Sequence, residues 1–209
     1  MSDFEKKYKT IIEGAYNIFA ENGIRNVSMD DISRSLGISK KTLYRCVENK
    51  IDLIRKVFAY VKDQIFIRME EMKKMDMNAI DVLLEMSKIA NIKHYNINPV
   101  ISFELQKFYP QVYKEYFDSK KELIINYIKN NIEKGIKEGL YRQDLNKEVI
   151  AHLYFQKIED IHKTDFFKSE NFSFETVFKV MFENHIRGIS NQKGIEYFER
   201  QKEKLNFNI

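Results

Sequence analysis

Residues 28–53 read S-M-D-D-I-S-R-S-L-G-I-S-K-K-T-L-Y-R-C-V-E-N-K-I-D-L, and three helix starts can be read from them. Ser28 followed three residues on by Asp31 has the form of a capping box, in which side chain and backbone satisfy each other at a helix N-terminus. That helix runs to about Leu36, and Gly37 ends it, because glycine enters the left-handed C-terminal conformation without a steric penalty. Ile38 is an apolar residue in a tight turn, placed to plug the space between two helices. Ser39 caps a very short helix from Lys40 to about Val47, and Asn49 with Asp52 caps a third.

The short helix has two unlike sides. Leu43 and Val47 are four apart and share one face. Lys41 and Arg45, also four apart, point nearly the opposite way at about 100° per residue. Thr42 adds a hydroxyl, and Tyr44 a phenol beside Lys40. One face is suited to a small core; the other has the cations and short polar groups that meet phosphates and base edges in a major groove. A capped, solvated surface helix in some other bundle would carry the same caps and faces, so the pattern alone leaves both readings open.

Working outward, Phe4, Tyr8, Ile11, Ile12, Ala15 and Phe19 make one apolar stripe over a helix at 4–21, ended by Glu21-Asn22-Gly23. A long helix over 50–74 keeps the stripe through Ile54, Phe58, Val61, Ile65, Met69 and Met72. Neither Gly nor Pro marks a linker after Leu53, so the small domain continues rigidly into the larger one. Asp76-Met77-Asn78 breaks the pattern, which resumes from Ile80 to about Ala90. A polar loop N-I-K-H-Y-N-I-N-P leads to a short helix over 100–109, and Pro110 opens a helix to about Lys137. Gly139 and Tyr141–Asn146 form a turn. Helices over 145–163 and 173–190 carry stripes wider than one core face needs, and an amphipathic helix precedes the charged tail.

The span from Ala15, Phe19, Gly23 and Ser28 through Asp31-Ile32-Ser33, Leu36-Gly37-Ile38-Ser39, Thr42-Leu43-Tyr44 and Lys50 to Leu53 resembles the DNA-binding domain of the tetracycline-repressor (TetR) family. Lys41 stands where that family often has a small residue, and Arg45-Cys46-Val47 where an aromatic residue, His and Phe are common. Both departures lie on the reading helix and bear on the operator sequence. The stretch N-P-V-I-S-F-E-L-Q-K-F-Y-P, with the later G-I-K-E-G-L-Y-R, resembles ligand-binding domains of one TetR branch more weakly.

The resemblance implies an all-α fold. An N-terminal three-helix helix-turn-helix domain at 1–50 is continued by a long helix into a C-terminal helical bundle at 51–209 that binds an effector and dimerises. By motif position, Lys40, Lys41, Thr42, Tyr44 and Arg45 would face the groove of double-stranded operator DNA or its phosphates. Ser28, Ser39 and Lys50, at helix N-termini, would touch backbone phosphates. Phe103, Phe108, Tyr109, Tyr113, Phe117 and Phe155 fall where the family keeps its pocket for a small-molecule effector. The last two long helices would build a homodimer interface through Tyr154, Ile158, Phe178, Met181 and Phe182. The expected activity is that of a ligand-responsive repressor on a palindromic operator. The alternative is a helical ligand- or partner-binding protein that keeps the helix-turn-helix as scaffold.

Composition agrees with this reading and narrows it. Seven Gly and two Pro give little turn material for many short strands, so helix should dominate. A net charge of +4 permits nucleic-acid binding without arguing for it; the local cluster of Lys40, Lys41, Arg45 and Lys50 says more. One cysteine, Cys46, cannot form an internal disulfide, which suits a reducing cytoplasm. No apolar run approaches the ~18 residues of a membrane span, and the N-terminus has no apolar signal core. His94, His152, His162 and His185 lack metal-ligand spacing, and no phosphate loop or nucleophile elbow occurs, so neither cofactor, metal nor enzymatic activity is expected.

Overall fold

Ser28 Oγ accepts the Asp31 amide at 3.1 Å while the Asp31 carboxylate accepts the Ser28 amide at 2.9 Å, so the capping box forms reciprocally. The Ser28 hydroxyl, at 2.5 Å, and the Ser28 amide both donate to the Asp31 carboxylate, which favours its charged form and holds the carboxyl below its usual range. These observations come from a computed structural model that describes residues 3–90, 99–161 and 172–204. The described helices are α1 (Asp3–Asn22), α2 (Met29–Ser35), α3 (Lys40–Tyr44), α4 (Lys50–Lys73), α5 (Ala79–Ala90), α6 (Pro99–Phe108), α7 (Pro110–Lys137), α8 (Lys147–Ile161), α9 (Phe174–Ile189) and α10 (Gln192–Lys204). The loop expected at 91–98 lies outside the described residues.

The other caps also form. Gly37 has φ +63°, the left-handed turn that stops α2, and Asn49 Oδ1 accepts the Asp52 amide at 3.0 Å. Helix α3 is shorter than the sequence pattern suggests. It ends at Tyr44 rather than near Val47, because the Cys46 amide closes a tighter turn on the Leu43 carbonyl at 2.9 Å. Phe4 is 54% exposed, so the apolar stripe of α1 is used only from its second turn onward.

Packing divides the chain into two units. One comprises Met1–Ile67 with Ile97–Lys120; the other comprises Arg68–Asn96 with Lys121–Ile209. In the first unit, Ile12, Phe19, Ile32, Leu43 and Val47 share one buried cluster with Val57 and Phe58 of α4, Ile101 and Leu105 of α6, and Val112 and Tyr116 of α7. About fifty residues enclose too little apolar volume for an independent core, so the head takes wall residues from farther along the chain. Phe58 and Tyr116 meet edge to face at 5.3 Å.

The second unit is built around Met72, Ile80, Leu84, Ile128, Ile132, Phe155, Phe182 and Ile186, all buried. The buried carboxamide of Asn131 is satisfied: its Nδ2 donates to the Ala79 carbonyl at 2.8 Å, and Tyr141 Oη donates to its Oδ1 at 3.1 Å. Helices α8 and α9 meet through Tyr154 and His185, whose rings stack at 3.7 Å. His185 Nε2 is sealed from solvent without a hydrogen-bond partner, and burial, with a smaller repulsion from Lys157, lowers its pKa to about 3.

A pH dependence arises from this histidine. Its folded pKa lies below the unfolded value, so the stability it contributes is complete above about pH 6.5 and is lost as pH falls from there toward about 3. Between pH 6.5 and 5, before the carboxylates titrate, stability should fall by up to about 1.4 kcal/mol per pH unit, and His185→Phe should flatten that slope in denaturant titrations. An unchanged slope in the variant would show that His185 takes up its proton without resisting it.

Candidate nucleic-acid interface

Helix α3 is held by its apolar side. Leu43 and, just beyond the helix, Val47 are buried against Ile32 of α2, and half-buried Ile38 packs against the same cluster. That anchoring turns Lys41, Tyr44 and Arg45 outward; all three are exposed, and Thr42 is partly so. Neither Lys41 nor Arg45 makes an ion pair among the described residues, so both cations are available to a ligand. Lys40 lies 2.7 Å from Asp30, but both side chains are more than half exposed, and such pairs are worth only ~0–1 kcal/mol. A phosphate can displace that carboxylate.

The two capping serines are exposed and their oxygens serve the local backbone. Ser39 Oγ accepts the Thr42 amide at 3.1 Å and lies 2.9 Å from Thr42 Oγ1. Lys50, expected at a backbone phosphate, makes a contact within the head. It is half-buried and donates to the Arg25 carbonyl at 3.1 Å, bracing the turn between α1 and α2. Burial lowers its pKa, and Glu104 and Asp31 work against that shift.

Glu104 of α6 was not visible as a functional residue from sequence. Its Oε2 accepts the amides of Ile24 at 2.5 Å and Arg25 at 3.1 Å, so one carboxylate grips the turn that follows α1. Gly23 turns there with φ +78°, and a Cβ added to it would stand 3.0 Å from the same oxygen. The Arg25 guanidinium lies 4.7 Å from the centre of the Phe108 ring, a second tie between this turn and α6. Glu104→Ala should cost about 1.5–3 kcal/mol, typical of a charged hydrogen bond, and Glu104→Gln should recover part of it because the amide oxygen still accepts. Chemical denaturation checks this; equal losses in both variants would mean that the carboxylate's charge, not its hydrogen bonds, carries the effect.

The aromatic residues expected around an effector are divided between the units. Phe103 is 57% exposed on α6, and Phe108 lies under Arg25. Tyr109 and Tyr113 pack on the core of the head, and Tyr113 stacks with Phe117 at 5.7 Å. Phe155 belongs to the buried core of the second unit. Of the residues expected at a dimer seam, Tyr154, Phe178 and Phe182 are buried within the subunit itself, while Ile158 and Met181 are half-buried. Among the described residues, the large apolar side chains of α8 and α9 that lie exposed are Val149, Leu153 and Val180, each more than half exposed.

Residues 11–57, which contain the capped α2–α3 pair and its packing partners, match the family described as bacterial regulatory proteins, tetR family. The head of the chain is a TetR-family DNA-binding domain. Among its TetR-type relatives, the fatty acid metabolism regulator protein of Bacillus subtilis is 24% identical over 92% of this chain and 100% of that protein. The transcriptional repressor KstR2 of Mycobacterium tuberculosis is 25% identical over 67% of this chain and 72% of its own length. The fold is shared with a TetR-family regulator from Cytophaga hutchinsonii, at a TM-score of 0.71 and 19% identity over 92% of this chain and 99% of that one. It is also shared with FadR of Bacillus subtilis in complex with stearoyl-CoA, at a TM-score of 0.63 and 22% identity over 87% and 99%. No described helix is long and apolar enough to cross a membrane.

Proposed function

We propose that this chain is a cytoplasmic, ligand-responsive TetR-family repressor that holds a two-fold symmetric operator as a homodimer. The observation that carries the reading is the exposed face of α3, where Lys41 and Arg45 stand without ion pairs among the described residues, opposite a buried Leu43. Arg45 reads a base edge, Lys41 and Lys40 meet phosphates, and Thr42 and Tyr44 supply the remaining polar contacts. Ser28 and Ser39 sit where helix N-termini present amides to the backbone of the duplex. Residues 1–50 serve as the reading head; the remainder dimerises and takes the effector. Lys50 acts as a brace for the head.

An acyl-CoA is the first effector to test, because a relative that aligns with nearly the whole chain is named a fatty acid metabolism regulator and a protein of the same fold holds stearoyl-CoA. Such a ligand must bind the free form better than the DNA-bound form, or the equilibrium does not move. Helix α4 begins in the head at Lys50 and runs without a break to Lys73, so a shift along it changes the separation of the two reading helices. That separation must match one DNA turn, about 34–36 Å. The test is a titration of stearoyl-CoA with and without operator. Linkage requires operator to weaken the ligand by the factor by which the ligand weakens operator. Equal ligand affinity in the two titrations would remove acyl-CoA as the inducer.

A further inference from the structure

Where α4 ends, the α4–α5 turn, α5 and α7 line a half-open cavity of about 130 Å³ within the second unit. Its apolar wall is made by the side chains of Met72, Met75, Met77 and Val82. Thioethers are polarisable and unbranched, and adapt to irregular apolar ligands. The polar groups on the wall are Tyr127, Asn130, Asn131, Lys73 and Lys134, and among the described residues no carboxylate joins them. Asn131 is held by Ala79 and Tyr141 through one hydrogen bond on each of its polar atoms, which makes it a rigid floor.

Tyr127 is the unspent donor. Its hydroxyl has the Met72 sulfur as partner at 3.8 Å, and a thioether is a weak acceptor. Burial, helped by the charge of Glu70, raises the phenol to about 12, so it keeps its proton at neutral pH. Lys134 pairs with Glu138 at 2.8 Å, but the lysine side chain is 46% exposed, so an incoming anion competes for it at little cost. At ~30 Å³ per water, the cavity holds about four waters or one compact organic molecule.

We propose that this cavity binds a short-chain carboxylate. Its methylenes lie among Met72, Met75, Met77 and Val82, and its carboxylate accepts from the Tyr127 hydroxyl and the Lys134 ammonium. Lys73 pairs with Glu70 at 2.5 Å and Lys134 with Glu138 at 2.8 Å, so the ligand carboxylate takes the place of Glu138 at Lys134. A cavity of about 130 Å³ is too small to take in a full acyl-CoA. The proposal stands apart from operator binding and requires no DNA in its test.

Calorimetry of the full chain with hexanoate, and with hexylammonium as the opposite-charge control, tests it. Hexanoate should saturate one site per subunit at about millimolar concentration, as its few heavy atoms allow, and hexylammonium should not saturate. Tyr127→Phe, which keeps the ring, should weaken hexanoate about ten- to a hundredfold, the loss of one hydrogen bond to a charged acceptor. Lys134→Gln provides a second variant should the first fold poorly. Absence of saturable hexanoate binding, equal binding of hexylammonium, or an affinity unmoved by both substitutions would overturn the proposal. The operator affinity of ligand-free protein, measured separately, reports on the proposed function and not on this site.

Discussion

Leu153→Glu is expected to yield folded monomers in sedimentation, and those monomers to lose operator affinity by a factor of about 10²–10⁴. Leu153 is 58% exposed on α8, four residues from exposed Val149, and Val180 of α9 is 55% exposed. Apolar side chains left open on the two helices that close the second unit are what a second copy would cover. A carboxylate placed there would be desolvated without a partner in the dimer, yet costs the isolated subunit nothing. The affinity follows because a monomer holds one half-site at a time. Phe182→Glu, by contrast, should unfold the subunit, since Phe182 is 2% exposed in its own core and stacks on Phe178 at 5.9 Å. An unchanged dimer in Leu153→Glu would place the seam elsewhere.

Arg45→Ala is expected to relax base preference at one position in each half-site, at about 1–3 kcal/mol, while leaving other positions as they were. A guanidinium at the exposed end of α3, without an ion pair among the described residues, has the geometry for a bidentate contact to guanine. Lys41→Ala should instead weaken all sequences about equally and lower the salt dependence by about one phosphate contact. Binding-site selection on each variant separates the two roles. A uniform loss in Arg45→Ala, with preference intact, would remove that residue from base reading.

The parts of the fold that are set locally were readable in the sequence. Ser28 with Asp31, Gly37, Ser39 and Asn49 with Asp52 each satisfy backbone groups within three residues, so the helix ends are local facts. The head as a packed unit was not readable, because Ile101, Leu105, Val112 and Tyr116 reach its core from beyond residue 97. Glu104 escaped for the same reason: a carboxylate on an amphipathic helix normally faces water, and its partners lie some eighty residues earlier. The wide stripes on α8 and α9 signalled two covered faces but not which was which. Phe178 and Phe182 went inward and Leu153 and Val180 outward, a choice made by packing partners and not by spacing. The aromatic residues of α6 were selected by family position, and exposed Phe103 shows how loosely position fixes burial there.

Reading of DNA by α3 as one of a symmetric pair is tested most directly by selection of genomic fragments on the purified protein. Sequencing of the retained fragments should recover a two-fold symmetric site whose half-site centres lie about 10–10.5 base pairs apart, or a multiple of that turn. The same selection with Lys41→Ala and Arg45→Ala combined should lose it. Retained fragments with no common palindrome, or the same palindrome in the double variant, would contradict DNA reading by α3.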